Sequence, residues 1–188
     1  MAARERIAVI VRVYSRLLDA EGLVRIINTT WTHHEYVLFV VHNGAADGYV
    51  ASEALRAAGH YVPVKKNEGH IRGAAALVQA GYRAAREYGN FSAYLFIEAD
   101  FWLLGDRLID EALSSMRREQ RPVASTIWVE RYHSLAVDFL LVDGDFLRDN
   151  PDLLDWDDHP ERYLGTRLYP DRVHILEDLR PPHVPGLF

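Results

Sequence analysis

Two acidic residues one position apart follow an apolar segment of this sequence. The segment is Tyr94–Ile97 and the acids are Glu98 and Asp100. If the segment is a buried strand, its side-chain alternation points both carboxylates to the same side of the strand end. Such carboxylates repel each other unless a cation lies between them, and hard divalent cations commonly bind one or two carboxylates together with substrate phosphates. The pattern is typical either of a metal site that holds a diphosphate or of an ordinary strand end.

The composition is that of an ordinary globular protein, and it excludes several classes of site. The 188 residues are 49% hydrophobic and 26% charged, carry a net charge of −6 and include 0 cysteines. Disulfides, thiolate metal sites and cysteine nucleophiles are therefore excluded. The negative charge offers no general surface for nucleic acid. The apolar run Ile7–Val11 is too short for a signal peptide or a membrane span, which favours a cytoplasmic protein. We expect one domain over residues 1–188.

Strand-like and helix-like segments alternate along the chain. Strands are predicted at Ile7–Val13, Tyr36–His42, Tyr61–Val64, Ala93–Ile97, Val123–Val129 and Val137–Val142. Helices are predicted at Arg16–Asn28, Tyr49–Ala58, His70–Tyr88 and from a cap at Asp106 to about Glu119. From Asp143 onwards, loops are expected around one helix near Glu161–Leu168. This alternation favours an α/β fold with a mostly parallel sheet and helices on both faces, in which ligands bind at the carboxyl ends of the strands.

The common nucleotide-binding and hydrolase motifs are missing from this α/β pattern. No Gly-x-Gly-x-x-Gly follows the first strand, and Gly44 and Gly48 are not followed by the Lys-Ser or Lys-Thr of a P-loop. A Gly-x-Ser-x-Gly nucleophile elbow is also absent. The segment His33–Glu35 lies between a predicted helix and a predicted strand, so we interpret it as surface rather than as a metal site.

Five short segments then occur in a characteristic order along about residues 7–170. They are Arg12–Arg16, Val40–Gly44, Asn67–Gly69 before an alanine-rich helix, Glu98–Asp100, and Pro160–Leu168. This order resembles that of the nucleotide-sugar glycosyltransferases of the GT-A fold, most like the large family 2 group. The family motifs are Pro-x-Tyr-Asn-Arg, Val-Val-Asp-Asp-Gly-Ser, Asn-x-Gly, Asp-x-Asp and Glu-Asp-x-x-Leu-x-x-Arg-Leu. Here His42 and Asn43 replace the acids that read the base, and Pro160 replaces the first acid of the last motif.

The resemblance implies a single-domain, Rossmann-like GT-A fold. Its nucleotide-sugar-binding part would cover about residues 7–104, and its acceptor and catalytic part about residues 105–188. It also implies metal-dependent transfer of a sugar from a nucleoside-diphosphate donor, with UDP as the first nucleotide to consider. The acceptor stays open among a saccharide, a lipid, a protein, a small molecule and a hydroxymethylated DNA base of the phage type, so nucleic acid enters only as an acceptor.

The resemblance also assigns roles to individual residues. The donor-binding set is Val13, Tyr14, Arg16, His42, Asn43, Asn67, Gly69, His70, Arg72, Glu98 and Ala99. Asp100 and Glu98 would hold Mn²⁺ or Mg²⁺, with His174 as a candidate third ligand. Phe101 and Trp102 would lie on the acceptor side.

Glu161 is the predicted catalytic base. It follows Pro160, so it falls in the first turn of its helix, where the helix dipole favours the ionised carboxylate. Asp158 is the second candidate for this role.

Two other functions stay open. A sugar-phosphate nucleotidyltransferase of a related fold would need a glycine-rich basic loop after the first strand, and Tyr14–Leu17 does not supply one. A non-catalytic module that binds nucleotide sugars is compatible with the altered motifs.

Overall fold

A computed structural model describes residues 5–129, 133–156 and 159–177 of the chain. The first elements are β1 (Arg6–Val13), α1 (Leu17–Thr30), β2 (Glu35–His42), α2 (Glu53–Ala57), β3 (His60–Pro63), α3 (His70–Tyr88) and β4 (Ala93–Glu98). They are followed by α4 (Arg107–Glu119), β5 (Val123–Ser125), β6 (Ile127–Val129), β7 (Ser134–Leu135), β8 (Phe139–Asp143), α5 (Gly144–Asp149), α6 (Pro160–Leu168) and β9 (Val173–Ile175). Short 3₁₀ turns cover Ala45–Asp47 and Pro151–Leu154.

Seven of the strands form one sheet in the order β3-β2-β1-β4-β8-β5-β9. β1 runs parallel to β2 and β4, and β2 runs parallel to β3. β8 is antiparallel to both of its neighbours, β4 and β5. The predicted mostly parallel α/β sheet is therefore confirmed. Because β8 is reversed, its first residues lie beside the last residues of β4, with Ile97 opposite Phe139.

The sheet is buried on both faces, as the alternation within β1 shows. Ile7 and Val9 pack in the cluster that includes α1 and α4, whereas Ala8 and Ile10 pack in the cluster that includes α3, α5 and α6. Successive strand residues point to opposite faces, so a continuous apolar strand needs a helical layer on each side. Within the described ranges, no helix is both long and apolar enough to cross a bilayer.

Three local predictions about secondary structure were wrong. The segment after Asp143 is not loop, because α5 starts there and the Asp143 carboxylate accepts a hydrogen bond of 2.9 Å from the Phe146 backbone N–H. A helix this short shows no periodicity in sequence. The predicted strand Val123–Val129 is two strands in different sheets. α2 is shorter than predicted because the Ser52 hydroxyl caps it, accepting from the Leu55 N–H at 3.1 Å.

Two predictions about polar residues were also wrong. Asp106 precedes α4, but its carboxylate does not cap that helix. It accepts hydrogen bonds from the His33 backbone N–H (2.7 Å) and the Tyr36 hydroxyl (2.9 Å), and lies 2.6 Å from His33 Nδ1. His34 is not a surface residue, since only 8% of its side chain is exposed, and its Nε2 lies 3.3 Å from Asp110. These contacts join the start of β2 to α4.

Candidate functional site

The carboxyl ends of β1, β2 and β4 open into a cavity of about 420 Å³, here called the strand-end crevice. Its lining includes Arg12, Tyr14, Ser15, Arg16, Asn43, Asn67, Gly69, Gly73, Glu98, Ala99 and Asp100. These residues are distant in sequence and meet because parallel strands end at one edge of the sheet. Eight of the predicted site residues are among them. Arg12 and Gly73 are not in the predicted set.

The start of α3 is fixed against the strand-end crevice by two asparagines. The Gly69 N–H donates to Asn67 Oδ1 at 3.2 Å, and Gly69 has a φ of +98°, a conformation that favours glycine. A Cβ on Gly73 would lie 2.2 Å from Asn67 Oδ1, so this position has no room for a side chain. Asn43 donates from Nδ2 to the Gly73 carbonyl at 3.3 Å. Its buried Oδ1 has no partner among the described residues, which leaves one acceptor beside the crevice.

His42 lies beneath the strand-end crevice rather than on its surface. The ring is 1% exposed, and both of its nitrogens are engaged. The Tyr61 hydroxyl lies 2.8 Å from Nδ1, and Nε2 donates to the Tyr14 carbonyl at 3.0 Å. Burial lowers the pKa of His42, which favours the neutral ring, and the Nδ1 of that tautomer accepts from the Tyr61 hydroxyl. The structure therefore gives His42 a supporting contact to the Tyr14 loop.

A second cavity of about 320 Å³, here called the acidic crevice, shares Glu98 and Asp100 with the first. Its other lining residues are Phe101, Val137, Asp138 and Glu161. Glu161 enters from the first turn of α6. The acid pair at the end of β4 therefore lies between two cavities, and Glu161, far along the chain, faces the second of them.

Asp138 was missed by the sequence analysis. It precedes β8, and its carbonyl accepts a hydrogen bond of 3.0 Å from the Glu98 N–H. Burial raises the pKa of the Asp138 carboxyl, and the nearby charge of Glu98 raises it further. An acid before an apolar run is visible in the sequence. Its place beside Glu98 depends on β8 being antiparallel, which the sequence pattern did not reveal.

Each carboxylate of the acid pair contacts an arginine. Arg12 Nη2 lies 3.0 Å from Glu98 Oε1, and Arg16 Nε lies 3.1 Å from Asp100 Oδ2. These carboxylates therefore have positive charge beside them without a metal. The guanidinium groups supply that positive charge, while 43% of the Glu98 side chain and 37% of the Asp100 side chain are exposed.

The acid pair nevertheless has a donor set that fits a divalent cation. In the part of the chain that the structure describes, no three His, Cys, Asp or Glu residues form a group that could hold a metal. Two carboxylates at a cavity mouth suit Mg²⁺ or Mn²⁺ when the other ligands come from a diphosphate and water. The residues therefore fit a metal that binds together with substrate.

His174 and Trp102 lie away from the positions predicted for them. His174 is on β9, three strands along the sheet from β4, and its Nδ1 lies 3.0 Å from Glu119 Oε2. This placement removes His174 as the predicted third metal ligand. Trp102 is 53% exposed, and its ring covers Gly22 of α1, where a Cβ would lie 3.3 Å from it. Phe101 alone of the two predicted acceptor-side residues lines the acidic crevice.

The remaining predicted residues have simpler placements. Val13 is buried, and its carbonyl accepts from the Asn43 N–H at 3.3 Å. α3 begins at His70, and Arg72 is exposed on that helix. Asp158, the second candidate base, lies outside the described residues.

Comparison with solved structures finds the same fold at low sequence identity. A mannosyltransferase from Pyrobaculum calidifontis, solved with GDP-mannose and Mn²⁺, has a TM-score of 0.64 and 12% identity, covering 94% of this chain and 56% of its own. TarS from S. aureus has a TM-score of 0.61 and 13% identity, covering 92% of this chain and 35% of its own. This chain thus spans only part of the length of either protein.

A synthetase also has this fold. The CMP:2-keto-3-deoxy-manno-octonic acid synthetase, solved with CTP, has a TM-score of 0.54 and 10% identity, covering 93% of this chain and 89% of its own. No protein-family model matches the sequence, and no curated protein sequence is similar to it.

Proposed function

Because this chain has the GT-A fold of nucleotide-sugar glycosyltransferases, we propose that it transfers a sugar from a nucleoside-diphosphate donor to an acceptor hydroxyl. One observation carries the proposal: Glu98 and Asp100 lie between the strand-end crevice and the acidic crevice that contains Glu161. A transfer reaction needs a donor site and an acceptor site that meet at the reacting atoms. The acid pair marks that meeting point.

The donor occupies the strand-end crevice in this proposal. Its diphosphate lies near Gly69 and the start of α3, where backbone N–H groups and the helix dipole favour negative charge. Arg16 adds a positive charge at the same cavity. Asn43 and Asn67 contact the nucleoside, and the identity of its base, uracil or guanine, is left to experiment.

Asp100 and Glu98 would hold a Mn²⁺ or Mg²⁺ ion together with the donor diphosphate. When bound, the cation supplies positive charge that stabilises the leaving diphosphate. The resident guanidinium groups act in the same direction, because Arg16 beside Asp100 and Arg12 beside Glu98 supply positive charge that limits the repulsion between the acids and the donor.

Glu161 acts as the general base on the acceptor side. As the acceptor oxygen forms its bond to the anomeric carbon, the bond from that carbon to the diphosphate oxygen breaks, and its electron pair leaves with the diphosphate. The acceptor proton passes to the Glu161 carboxylate. Phe101 lines the same cavity and offers an apolar face to a sugar ring or another flat acceptor.

Nucleotidyl transfer is the second candidate, because the synthetase that resembles this chain is matched over most of its own length. Such an enzyme joins a nucleoside triphosphate to a sugar acid or sugar phosphate and releases pyrophosphate. The two reactions therefore differ in the phosphate product. A non-catalytic module would bind nucleotide and release neither product.

A product assay separates these functions. The protein is incubated with GDP-sugars and UDP-sugars, and separately with nucleoside triphosphates and sugar phosphates, in the presence of Mn²⁺. We expect release of nucleoside diphosphate from one donor, with water as the acceptor where no better one is present. Pyrophosphate from a triphosphate would instead support nucleotidyl transfer. Glu119→Gln, at the end of α4 beside His174 of β9, is the control and should keep the activity, because Glu119 lines neither crevice.

A further inference from the structure

A buried arginine, Arg12, pairs with the first acid of the acid pair, and the proposed reaction uses only its charge. The Arg12 side chain is only 3% exposed, and arginine is rarely buried so completely unless it is paired. Its Nη2 lies 3.0 Å from Glu98 Oε1 and also donates to the carbonyl of Val137. One guanidinium nitrogen thus bridges the end of β4 and the residue before Asp138.

Arg12 also contacts the segment that leads to the predicted base. Its guanidinium carbon lies 6.0 Å from the ring centroid of Trp156, a buried residue shortly before α6. The Arg12 carbonyl accepts a hydrogen bond of 3.2 Å from the Ala99 N–H, between the two acids of the pair. The residue therefore touches each segment that brings an acid to the acidic crevice: the end of β4, the start of β8 and the approach to α6.

Arg12 is a positive charge among acidic side chains. Burial disfavours the charged guanidinium and lowers the pKa of Arg12, and four carboxylates act against this effect, namely Glu98, Asp138, Glu161 and Asp100. Without a central positive charge they would repel one another and also repel an approaching diphosphate. A planar guanidinium can hold two partners at fixed angles, whereas a lysine ammonium supplies the charge without that geometry.

We propose that Arg12 is a positioning residue for sugar transfer. It fixes Glu98 relative to the Val137–Asp138 backbone and so holds the donor side and the acceptor side of the site in a fixed relative position. The inference rests on the proposed function. Its physical basis is that the reacting groups must be held closely, since a displacement of about 1 Å can cost roughly a hundredfold in rate.

The chain contains a matched control on the same strand. Arg6 lies at the other end of β1, and its Nε is 2.9 Å from Oε1 of Glu35, its register partner on β2. Arg12 likewise pairs with its register partner on β4, Glu98. Replacing Arg6 removes an arginine–glutamate pair from β1 without touching either crevice.

The test compares Arg12→Lys, Arg12→Met and Arg6→Met by melting temperature, by nucleoside-diphosphate affinity and by turnover of the donor that the wild-type protein hydrolyses. For Arg12→Lys we expect affinity within about threefold of wild type, because the charge remains, and turnover lowered about a hundredfold, because the bridge is lost. Arg12→Met should lose both. Arg6→Met removes an exposed pair, so it should change the melting temperature little and keep turnover per folded molecule within about threefold.

Two results would overturn the inference. One is wild-type turnover in folded Arg12→Lys, and the other is a loss of turnover in Arg12→Lys that the unfolded fraction at the assay temperature fully explains. If Arg12→Met does not fold, Arg12→Lys alone decides the question. A wild-type protein that turns over no donor would remove the proposed function itself, and that failure is recognised because it involves no variant.

Discussion

The two ends of β1 carry the same pair of residues in opposite settings. At the amino end, Arg6 pairs with Glu35 at 2.9 Å, and 35% and 59% of their side chains are exposed. At the carboxyl end, Arg12 pairs with Glu98 at 3.0 Å, and the arginine is 3% exposed. An exposed pair contributes little to stability, whereas a buried charge is costly unless its surroundings compensate it. The pair with the buried arginine is the one beside the cavities.

Two aspartates near the same two edges of the sheet show a similar contrast. Asp106, near the amino end of β2, accepts hydrogen bonds from His33 and Tyr36, and these outweigh burial to lower the pKa of its carboxyl. Asp138, near the carboxyl end of β4, has its pKa raised by burial and by Glu98. The surroundings of Asp106 therefore favour its ionised form, whereas those of Asp138 disfavour it. Carboxyl groups with a raised pKa are common at functional sites, so Asp106 is assigned to a structural contact and Asp138 to the candidate site.

The largest effect is expected from Glu161→Gln, in the acidic crevice at the carboxyl end of β4. The amide cannot accept the acceptor proton, so turnover should fall roughly a hundredfold while donor affinity stays near wild type. Product release and calorimetric affinity, measured on the same preparation, check both parts.

Asp158→Asn is the companion variant for this test. If Glu161→Gln kept full activity and Asp158→Asn lost it, the assignment of the base to α6 would be wrong. If both variants stayed active, transfer would not depend on either acid.

The next prediction concerns two aspartate variants, Asp106→Asn and Asp138→Asn, which should change the stability of the protein in opposite directions. Asp106→Asn removes charge-assisted hydrogen bonds from a buried carboxylate, so it should cost roughly 2 kcal/mol and lower the melting temperature by several degrees. Asp138→Asn removes a charge that the folded state disfavours above its raised pKa. It should therefore raise the melting temperature at pH 7 by roughly 1–3 °C. Thermal melts check both variants, and a decrease for Asp138→Asn would break the comparison.

The smallest effect is a pH dependence of the melting temperature, which comes from the contact of His33 with Asp106 near the amino end of β2. Hydrogen bonding to Asp106, and then its charge, raise the pKa of His33. A raised pKa means that this stabilisation is complete below the unfolded pKa of about 6.5 and is lost as pH rises through the folded value. The melting temperature of wild type should therefore fall more between pH 6 and pH 9 than that of His33→Gln. Parallel curves for the two proteins would show that the contact contributes nothing.

The elements that depend on local sequence patterns could be predicted from the sequence. The ends of β1, β2 and β4 follow from apolar runs, and α3 has the predicted bounds, His70–Tyr88, because its apolar face repeats regularly and Gly89 ends it. These elements bring Asn43, Asn67 and Asp100 to one crevice.

The other features depend on tertiary contacts that have no local pattern. The reversal of β8 places Asp138 beside Glu98, and a contact across the sheet buries Arg12 against Val137. Arginine in an otherwise apolar strand is visible in the sequence, but its partners belong to β4 and to the residues before β8. Short elements such as α5 likewise form through packing rather than through periodicity.

The central claim is that the acid pair at the end of β4 binds a cation together with a nucleoside diphosphate. The direct test is calorimetric titration of GDP and UDP into wild type, Glu98→Gln and Asp100→Asn, each with Mn²⁺ and with chelator. We expect Mn²⁺ to raise wild-type affinity by about tenfold or more, Asp100→Asn to abolish that increase, and Glu98→Gln, whose side chain is already held by Arg12, to reduce it less. Equal affinity of wild type for the nucleotide with metal and with chelator would contradict the claim.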